Sequence, residues 1–294
     1  MEFEAIITSV GYGDFLAYSI PTNRHQFHYT VVATTPEDVR TQKVCEYWNV
    51  HCIQVPEFHL GGGFRKGAGI SAAIKTLRDM GRAKGWLVHM DADIVLPPLA
   101  MGFAGRADFD PTYLYGVDRM MVENFSQWAD FLSFPVMQHE CKVYAHARPF
   151  KMGTRIVTPG YGGWVPIGFF QMWNPTASGV WEYPSEHTSA GRGDMLFAKK
   201  WPRNKRGHIT DFIVYHLESE TAKMGVNWNG RTTQHFGPEP TWPAVKAPWC
   251  PGCPTKPTAV AELCLAGGGK PDTPDDGGSE PDGCYDEKRT KYSR

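Results

Sequence analysis

An α/β fold in one large domain is what the sequence predicts, and three observations lead to it. The first 55 residues carry a strand, helix, strand rhythm; a second helical segment runs directly into a buried apolar strand; and that strand stops abruptly at two aspartates one residue apart. The 294 residues are 41% hydrophobic, enough to fill one large α/β core or two small ones.

The elements follow in order. Runs rich in β-branched and apolar residues mark strands at Glu4 to Val10, Tyr29 to Thr34 and Val50 to Val55. A helix is expected from Pro36 to Trp48: Thr35 offers an N-cap, Pro36 suits the first helical position, and Glu37 and Asp38 put negative charge in the first turn. Val39, Val44 and Trp48 are its expected buried side. From Lys66 to Arg82 the residues Ile70, Ala73, Ile74 and Leu77 recur at helical spacing, and Gly85 to Met90 then reads as a buried strand. Between Ala100 and Phe170 the pattern is irregular, with strand candidates at Thr112 to Val117 and Lys142 to Ala147; a late strand runs from Thr210 to Leu217. From Val245 onward Pro, Gly, Asp and four cysteines dominate, so residues 1–246 are read as the folded domain and 247–294 as an extended or partly disordered tail.

Charge and cysteine usage narrow the classes of function. A formal net charge of -1 argues against a general polyanion binder. The acidic start MEFEAIITSV lacks the basic region and apolar core of a secretory signal, and no run approaches a membrane span. Seven cysteines are an odd number, and Cys45, Cys52 and Cys141 sit in apolar segments; a reducing cytoplasmic setting fits, or a host cytoplasm for a phage-encoded chain. Cys250, Cys253, Cys264 and Cys284 are read either as free thiols in the tail or as a Cys₄ zinc clip, their spacing matching a zinc site only loosely. Gly61 to Gly63 fit neither the P-loop nor the dinucleotide spacing, which removes an ATP or NAD reading.

The chemistry concentrates at Trp86-Leu-Val-His-Met-Asp-Ala-Asp, where a strand delivers Asp91 and Asp93 to the carboxyl end of the sheet, the edge at which α/β ligands gather. Two hard carboxylates there suit Mg²⁺ or Mn²⁺; alone, the same pair also fits two solvated turn acids.

Several further motifs make the chain resemble the GT-A glycosyltransferases, in particular the family-2-like members of bacteria and phages, in order across residues 4–231: Asp91-Ala-Asp93 after two β-α units, Ser189-Ala-Gly-Arg-Gly-Asp194, a strand ending at His216, and Asn227-Trp-Asn-Gly-Arg231. The resemblance implies a mixed, mostly parallel sheet flanked by helices. It also implies transfer of a sugar from a nucleotide-diphosphate donor, UDP being the commonest choice. Asp93 would be the principal ligand of a divalent ion, Asp91 would lie nearer the ribose, and His216 would be a third ligand; an imidazole makes Mn²⁺ the better match than Mg²⁺. Asp194 corresponds to the general base of inverting members, although Gly191-Arg-Gly departs from the more usual acidic pair; capping of a helix starting at Met195 is the alternative. Ser9, Val10, Gly11 and Tyr12 are expected to face the nucleotide, with Arg65 and Lys66 at its phosphates, and Gln171, Trp173, Asn227, Trp228 and Arg231 to line the donor and acceptor pocket behind a mobile Gly160 to Gly163 loop.

Lys199, Lys200, Arg203, Lys205 and Arg206 surround Trp201, which reads either as a solvated loop or as an acceptor-side contact to DNA, as in phage enzymes that glycosylate 5-hydroxymethylpyrimidines. Two other classes compete. Nucleotide transfer to a sugar phosphate would want a cation after the first strand, which Gly11-Tyr-Gly-Asp lacks; a carbohydrate-binding module could use the ten tryptophans as stacking platforms but leaves Asp93 without purpose.

Overall fold

Strand β1 (Phe3–Thr8) is buried along its whole length, as a strand covered on both faces must be. The computed structural model describes residues 1–132, 151–152, 157–158, 163–217, 231 and 235–239. β1 pairs in parallel with β2 (Tyr29–Thr34) on one side and β4 (Trp86–Asp91) on the other, and β3 (His51–Gln54) extends this parallel half. The second half is mixed. β10 (Phe170–Trp173) runs antiparallel between β4 and β6 (Leu114–Val122), β11 (Arg206–Leu217) is parallel to β6, and the two-residue β5 (Ile94–Val95) closes the edge. The order is thus β3-β2-β1-β4-β10-β6-β11-β5, with β7 (Lys151–Met152) beside β6; β8 (Val157–Thr158) and β9 (Gly163–Trp164) form a separate pair. This is the mixed, mostly parallel sheet flanked by helices expected of a GT-A chain.

Alternate residues of β1 feed two cores. Ala5 and Ile7 face Leu16 and Ile20 of α1 (Gly13–Asn23) and Val44 and Trp48 around α2 (Val39–Tyr47). Ile6 faces the other side, where Ile70, Ile74 and Leu77 of α3 (Lys66–Asp79) meet Trp173 and Phe197. Each such side chain contributes about 1.5–3 kcal/mol on burial, so the helices are held by packing more than by propensity. The start of α3 lies flush against the segment before residue 190, and a Cβ at Gly67 would stand 1.8 Å from the Pro184 carbonyl oxygen. That close approach aims Lys66 at the sheet's carboxyl edge. α4 (Ala100–Ala104), α5 (Phe125–Leu132) and α6 (Pro175–Ser178) are shorter.

Three expectations shift. β1 ends at Thr8, because Ser9 to Tyr12 turn into α1, a helix that periodicity does not reveal: nearly all its residues are buried, with Leu16 and Ile20 in one core and Phe15 and Tyr18 in another, so it has no polar face. α2 starts at Val39 rather than Pro36, since Asp38, not Thr35, caps it by accepting from Thr41 N; Val39 is 53% exposed and Val44 and Trp48 alone are buried as expected. β11 begins at Arg206 and carries a register shift between Ile209 and Ile213. The candidate strand at 142–147, the tail at 247–294 and its four cysteines lie outside the described residues. Among the described residues no helix is long and apolar enough to cross a membrane.

Candidate functional site

The turn after β4 is held from both sides. From α1, Ser19 Oγ donates to Ala92 O (2.6 Å) and Asn23 Nδ2 to Ile94 O (2.7 Å), while Asn23 Oδ1 accepts from Leu96 N (2.9 Å). From β11, Leu217 N donates to Asp93 O (2.8 Å). The backbone carrying Asp91 and Asp93 is therefore fixed by groups more than 70 residues away in both directions.

Asp93 is buried, and its Oδ2 is 3.2 Å from His216 Nε2. On the far side of the ring, Arg119 Nη1 donates to His216 Nδ1 at 2.8 Å; a guanidinium can only donate, so Nδ1 is the accepting nitrogen and Nε2 carries the proton toward Asp93. Asp93 Oδ1, by contrast, is enclosed with no hydrogen-bond partner among the described residues. A buried carboxylate oxygen without a donor is costly unless a cation meets it, so the donor set fits a divalent ion at Oδ1. Among the described residues no three His, Cys, Asp or Glu side chains converge as a closed cage. The expected Asp91, Asp93 and His216 set is thus brought together only in part: His216, with both ring nitrogens engaged, orients Asp93, and Asp91 turns to a different partner.

That partner is Lys66, whose Nζ is ion-paired with Asp91 Oδ1 and also reaches Gly168 O at 3.4 Å. Burial pushes the Asp91 carboxyl up, Lys66 pulls it down and the Asp93 charge pushes it further up, leaving it raised. Beneath it lies His89, wholly enclosed on the same face of β4, 3.9 Å from Asp91 Oδ1 and 3.4 Å from Thr8 Oγ1. Burial, reinforced by Lys66, holds this imidazole far below its usual value, so it stays neutral. Sequence reasoning passed over His89 because a histidine inside an apolar strand carries no spacing signal; its place two residues before Asp91 was the available clue.

Asp194 does not open a helix. It lies in the second turn of α7 (Ala190–Ala198), which starts after Ser189, so capping a helix at Met195 is not its role. Its Oδ2 accepts from Gly168 N (2.8 Å) and its Oδ1 from Met195 N (2.7 Å), and a Cβ at Gly168 would stand 2.8 Å from Asp194 Cβ. Gly168 thus meets Asp194 through its N–H and Lys66 through its carbonyl. Gln171 and Trp173 line no pocket surface: both are fully buried, Gln171 Nε2 donating to Pro166 O (2.7 Å) and Trp173 Nε1 to Val180 O (3.1 Å).

The loop after β1 is tied down rather than open throughout. Ser9 is buried with its hydroxyl 2.9 Å from Thr41 Oγ1, and Val10 packs on the α3 side of the core; Gly11 is exposed and Tyr12 half-buried, its ring stacked on Phe15. Asp38 Oδ2 accepts from Gly11 N at 2.7 Å, which makes the cap of α2 also the anchor of this loop, a role the sequence reading missed by placing Asp38 inside the helix. Arg65 leads into α3 as expected, half-buried. Arg231 is a clamp: its fork grips the buried Asp14 carboxylate, Nη1 reaches Gly11 O (2.7 Å), and its guanidinium lies 5.1 Å from the Tyr12 ring centroid. Asn227, Trp228 and Gly160 lie outside the described residues, and Gly163 begins β9.

Burial alone would raise Asp14, but the Arg231 fork and the Phe236 amide outweigh it and the carboxyl is lowered. A group depressed on folding stabilises the fold fully above its unfolded value near pH 4 and loses that contribution as pH falls through the folded value. Asp14→Asn is therefore expected to cost about 3 kcal/mol at pH 7 and to flatten the acid limb in urea melts between pH 7 and 3; parallel curves for the two proteins would contradict this.

The basic cluster is largely engaged by the chain itself. Trp201 is buried, at 2% exposure, Lys200 Nζ donates to Glu182 O, Lys205 Nζ to Thr112 Oγ1, and Arg206 to Trp201 O. The expected aromatic platform for nucleic acid is not on the surface; Lys199, Lys200 and Arg203 are exposed.

No protein-family model and no curated protein matches the chain. Among solved structures it is similar to the galactosyltransferase LgtC in complex with donor and acceptor sugar analogs, at 9% identity over 70% of this chain and 72% of that one, with a TM-score of 0.39. It is similar to the inositol-1-phosphate CTP transferase from T. maritima at 14% identity, over 74% of this chain and 89% of that one, with a TM-score of 0.39. A third likeness is to 4-diphosphocytidyl-2C-methyl-D-erythritol synthase, at 17% identity over 42% of this chain, with a TM-score of 0.33; the chain spans 63% of that synthase, less than two thirds of its length.

Proposed function

We propose that this chain transfers a sugar from a nucleotide-diphosphate sugar to an acceptor hydroxyl, with inversion at the anomeric carbon, and that it works with a divalent cation. The observation that carries the reading is Asp93 Oδ1, a buried carboxylate oxygen with no donor among the described residues, at the carboxyl end of the sheet. A bound Mn²⁺ or Mg²⁺ would supply Lewis-acid stabilisation of the departing diphosphate. Asp93 would hold it, with His216 fixing the Asp93 rotamer through Oδ2. Lys66 and the loop after β1, at Gly11 and Tyr12, would receive the donor's phosphates and base, Lys66 exchanging part of its pairing with Asp91 for phosphate oxygen. Asp194 would take the acceptor's proton: its two oxygens each accept one backbone N–H, and the carboxylate's remaining lone pairs are free for a hydroxyl. The same two backbone bonds hold it oriented toward a hydroxyl attacking from the face opposite the leaving group.

A thermal-shift panel of UDP-, GDP-, TDP- and CMP-sugars and of nucleoside triphosphates, with and without Mn²⁺, tests this. Ligand at 100 times its Kd contributes about 2.7 kcal/mol, which for a domain of this size is a rise of roughly 5–11 °C. The expected result is a rise with one sugar nucleotide, only when metal is present. Stabilisation by nucleoside triphosphates alone would favour nucleotide transfer instead, and no shift with any donor would remove the reading.

A further inference from the structure

A buried polar chain that the mechanism above does not use runs beneath both carboxylates. Tyr183, in the extended segment before α7, is 3% exposed, and its ring is stacked on Phe197 at 4.3 Å and tilted against His89 at 5.8 Å. Its hydroxyl is 2.9 Å from Gln171 Oε1; an amide oxygen only accepts, so the phenol donates. That bond fixes the oxygen end of the Gln171 amide. With Oε1 taken, Nε2 points to Pro166 O (2.7 Å) and Asp194 O (3.2 Å), tying the 166–168 turn to the turn of α7 that carries Asp194. Two residues on from Pro166, Gly168 N binds the Asp194 carboxylate and Gly168 O receives Lys66, itself paired with Asp91. On the sheet, Gln171 is the register partner of His89, two residues before Asp91. Among the described residues the phenol is the donor to Gln171 Oε1, and together with the two carbonyls at Nε2 it orients the amide that holds Asp194 in step with the Lys66–Asp91 pair.

We propose that Tyr183 is a positioning residue for sugar transfer, its hydroxyl setting the Gln171 amide and, through the Gly168 turn, the placement of Asp194. The catalytic consequence rests on the function proposed above; the pin itself does not. An apolar ring of the same shape would fill the core equally well, so packing against Phe197 does not account for the hydroxyl, and burial holds the phenol neutral and donating by pushing it well above its usual value.

The experiment compares Tyr183→Phe, which keeps the ring, with Phe197→Leu, which loosens the same packing without touching the hydroxyl. Amide exchange at Gly168 is measured without ligand, and kcat and donor KM are measured alongside. In Tyr183→Phe we expect Gly168 exchange to quicken about tenfold, the effect of one buried hydrogen bond, and kcat to fall roughly ten- to a hundredfold with donor KM within twofold. Phe197→Leu should lower the melting temperature but leave Gly168 protection relative to its neighbours and the kcat to KM split unchanged. Unchanged Gly168 exchange in Tyr183→Phe overturns the pin whatever the activity, and an equal rise in both variants reduces Tyr183 to packing. Faster exchange with unaltered kcat overturns the positioning role. Faster exchange in a protein that transfers no sugar in wild-type form overturns the function and leaves the pin standing.

Discussion

Asp194→Asn is expected to lower kcat on the order of 10²–10⁴-fold while donor binding with metal is unchanged. The substitution keeps shape and volume, so the fold should tolerate it. One of the two backbone N–H donors, from Gly168 or Met195, loses its acceptor, a cost of about 1 kcal/mol. What disappears is the basicity. An amide cannot take a proton from a hydroxyl at neutral pH, and the acceptor oxygen would have to attack still protonated. Product formation under saturating donor, with the metal-dependent thermal shift as the control for binding, measures this. A variant that keeps both the shift and the rate would show that Asp194 serves only to hold Gly168, and the base would have to be sought elsewhere in the pocket. A variant that loses both would place Asp194 in donor binding.

Asp93→Asn should behave in the opposite way, losing the metal-dependent shift altogether and at least about 100-fold in metal-supported donor affinity, since even outer partners of a ligand are worth 10–100-fold. The sign of its effect on the ligand-free protein is the sharper test. In the wild type a buried carboxylate meets only His216 through Oδ2, and Oδ1 has no donor among the described residues. Replacing that charge with a neutral amide relieves a desolvation cost, so the metal-free variant should melt at or above the wild-type temperature. A drop of several degrees without metal would mean that the His216–Asp93 contact is chiefly structural. Retention of the metal-dependent shift would move the cation site away from Asp93.

The parts of the molecule legible in its sequence are those where one residue pattern has one physical reading. β1, β2 and β4 show themselves as continuous apolar runs and α3 as apolar residues at helical spacing, and the Asp91-Ala-Asp93 turn follows from a buried strand that stops at two charges. α1 stays hidden for the same reason: enclosed on all sides, it shows no polar stripe, and Pro21 inside it argues against a helix. Asp38 and Thr35 are both good cap residues, and Asp38 serves because its carboxylate also reaches Gly11, Thr34 and Thr41. For the site, spacing identified which side chains could bind or catalyse but not which way they face. Trp173 and Gln171 carry the composition of a sugar pocket and are spent on the interior; Arg231 has the charge for a phosphate and is spent on Asp14. Such assignments depend on tertiary contacts, from Gln171 to Asp194 23 residues on to Arg231 with Asp14 217 residues back, and no local pattern encodes them.

The Asp14–Arg231 clamp bears on how the chain is made. Asp14 lies in the first turn of the first helix, yet its counter-charge arrives 217 residues later and its last donor, Phe236 N, later still. A nascent chain that has emerged only as far as α3 holds the complete β1-β2-β3 half of the sheet with a carboxylate that has no guanidinium to meet it. At that stage protonation or hydration of Asp14 competes with docking of α1, so the N-terminal half has reason to wait, loosely assembled, until the segment carrying Arg231 leaves the ribosome. Emergence of the segment carrying Arg231 and Phe236, rather than closure of the first half-sheet, becomes the event that locks the α1 end of the molecule.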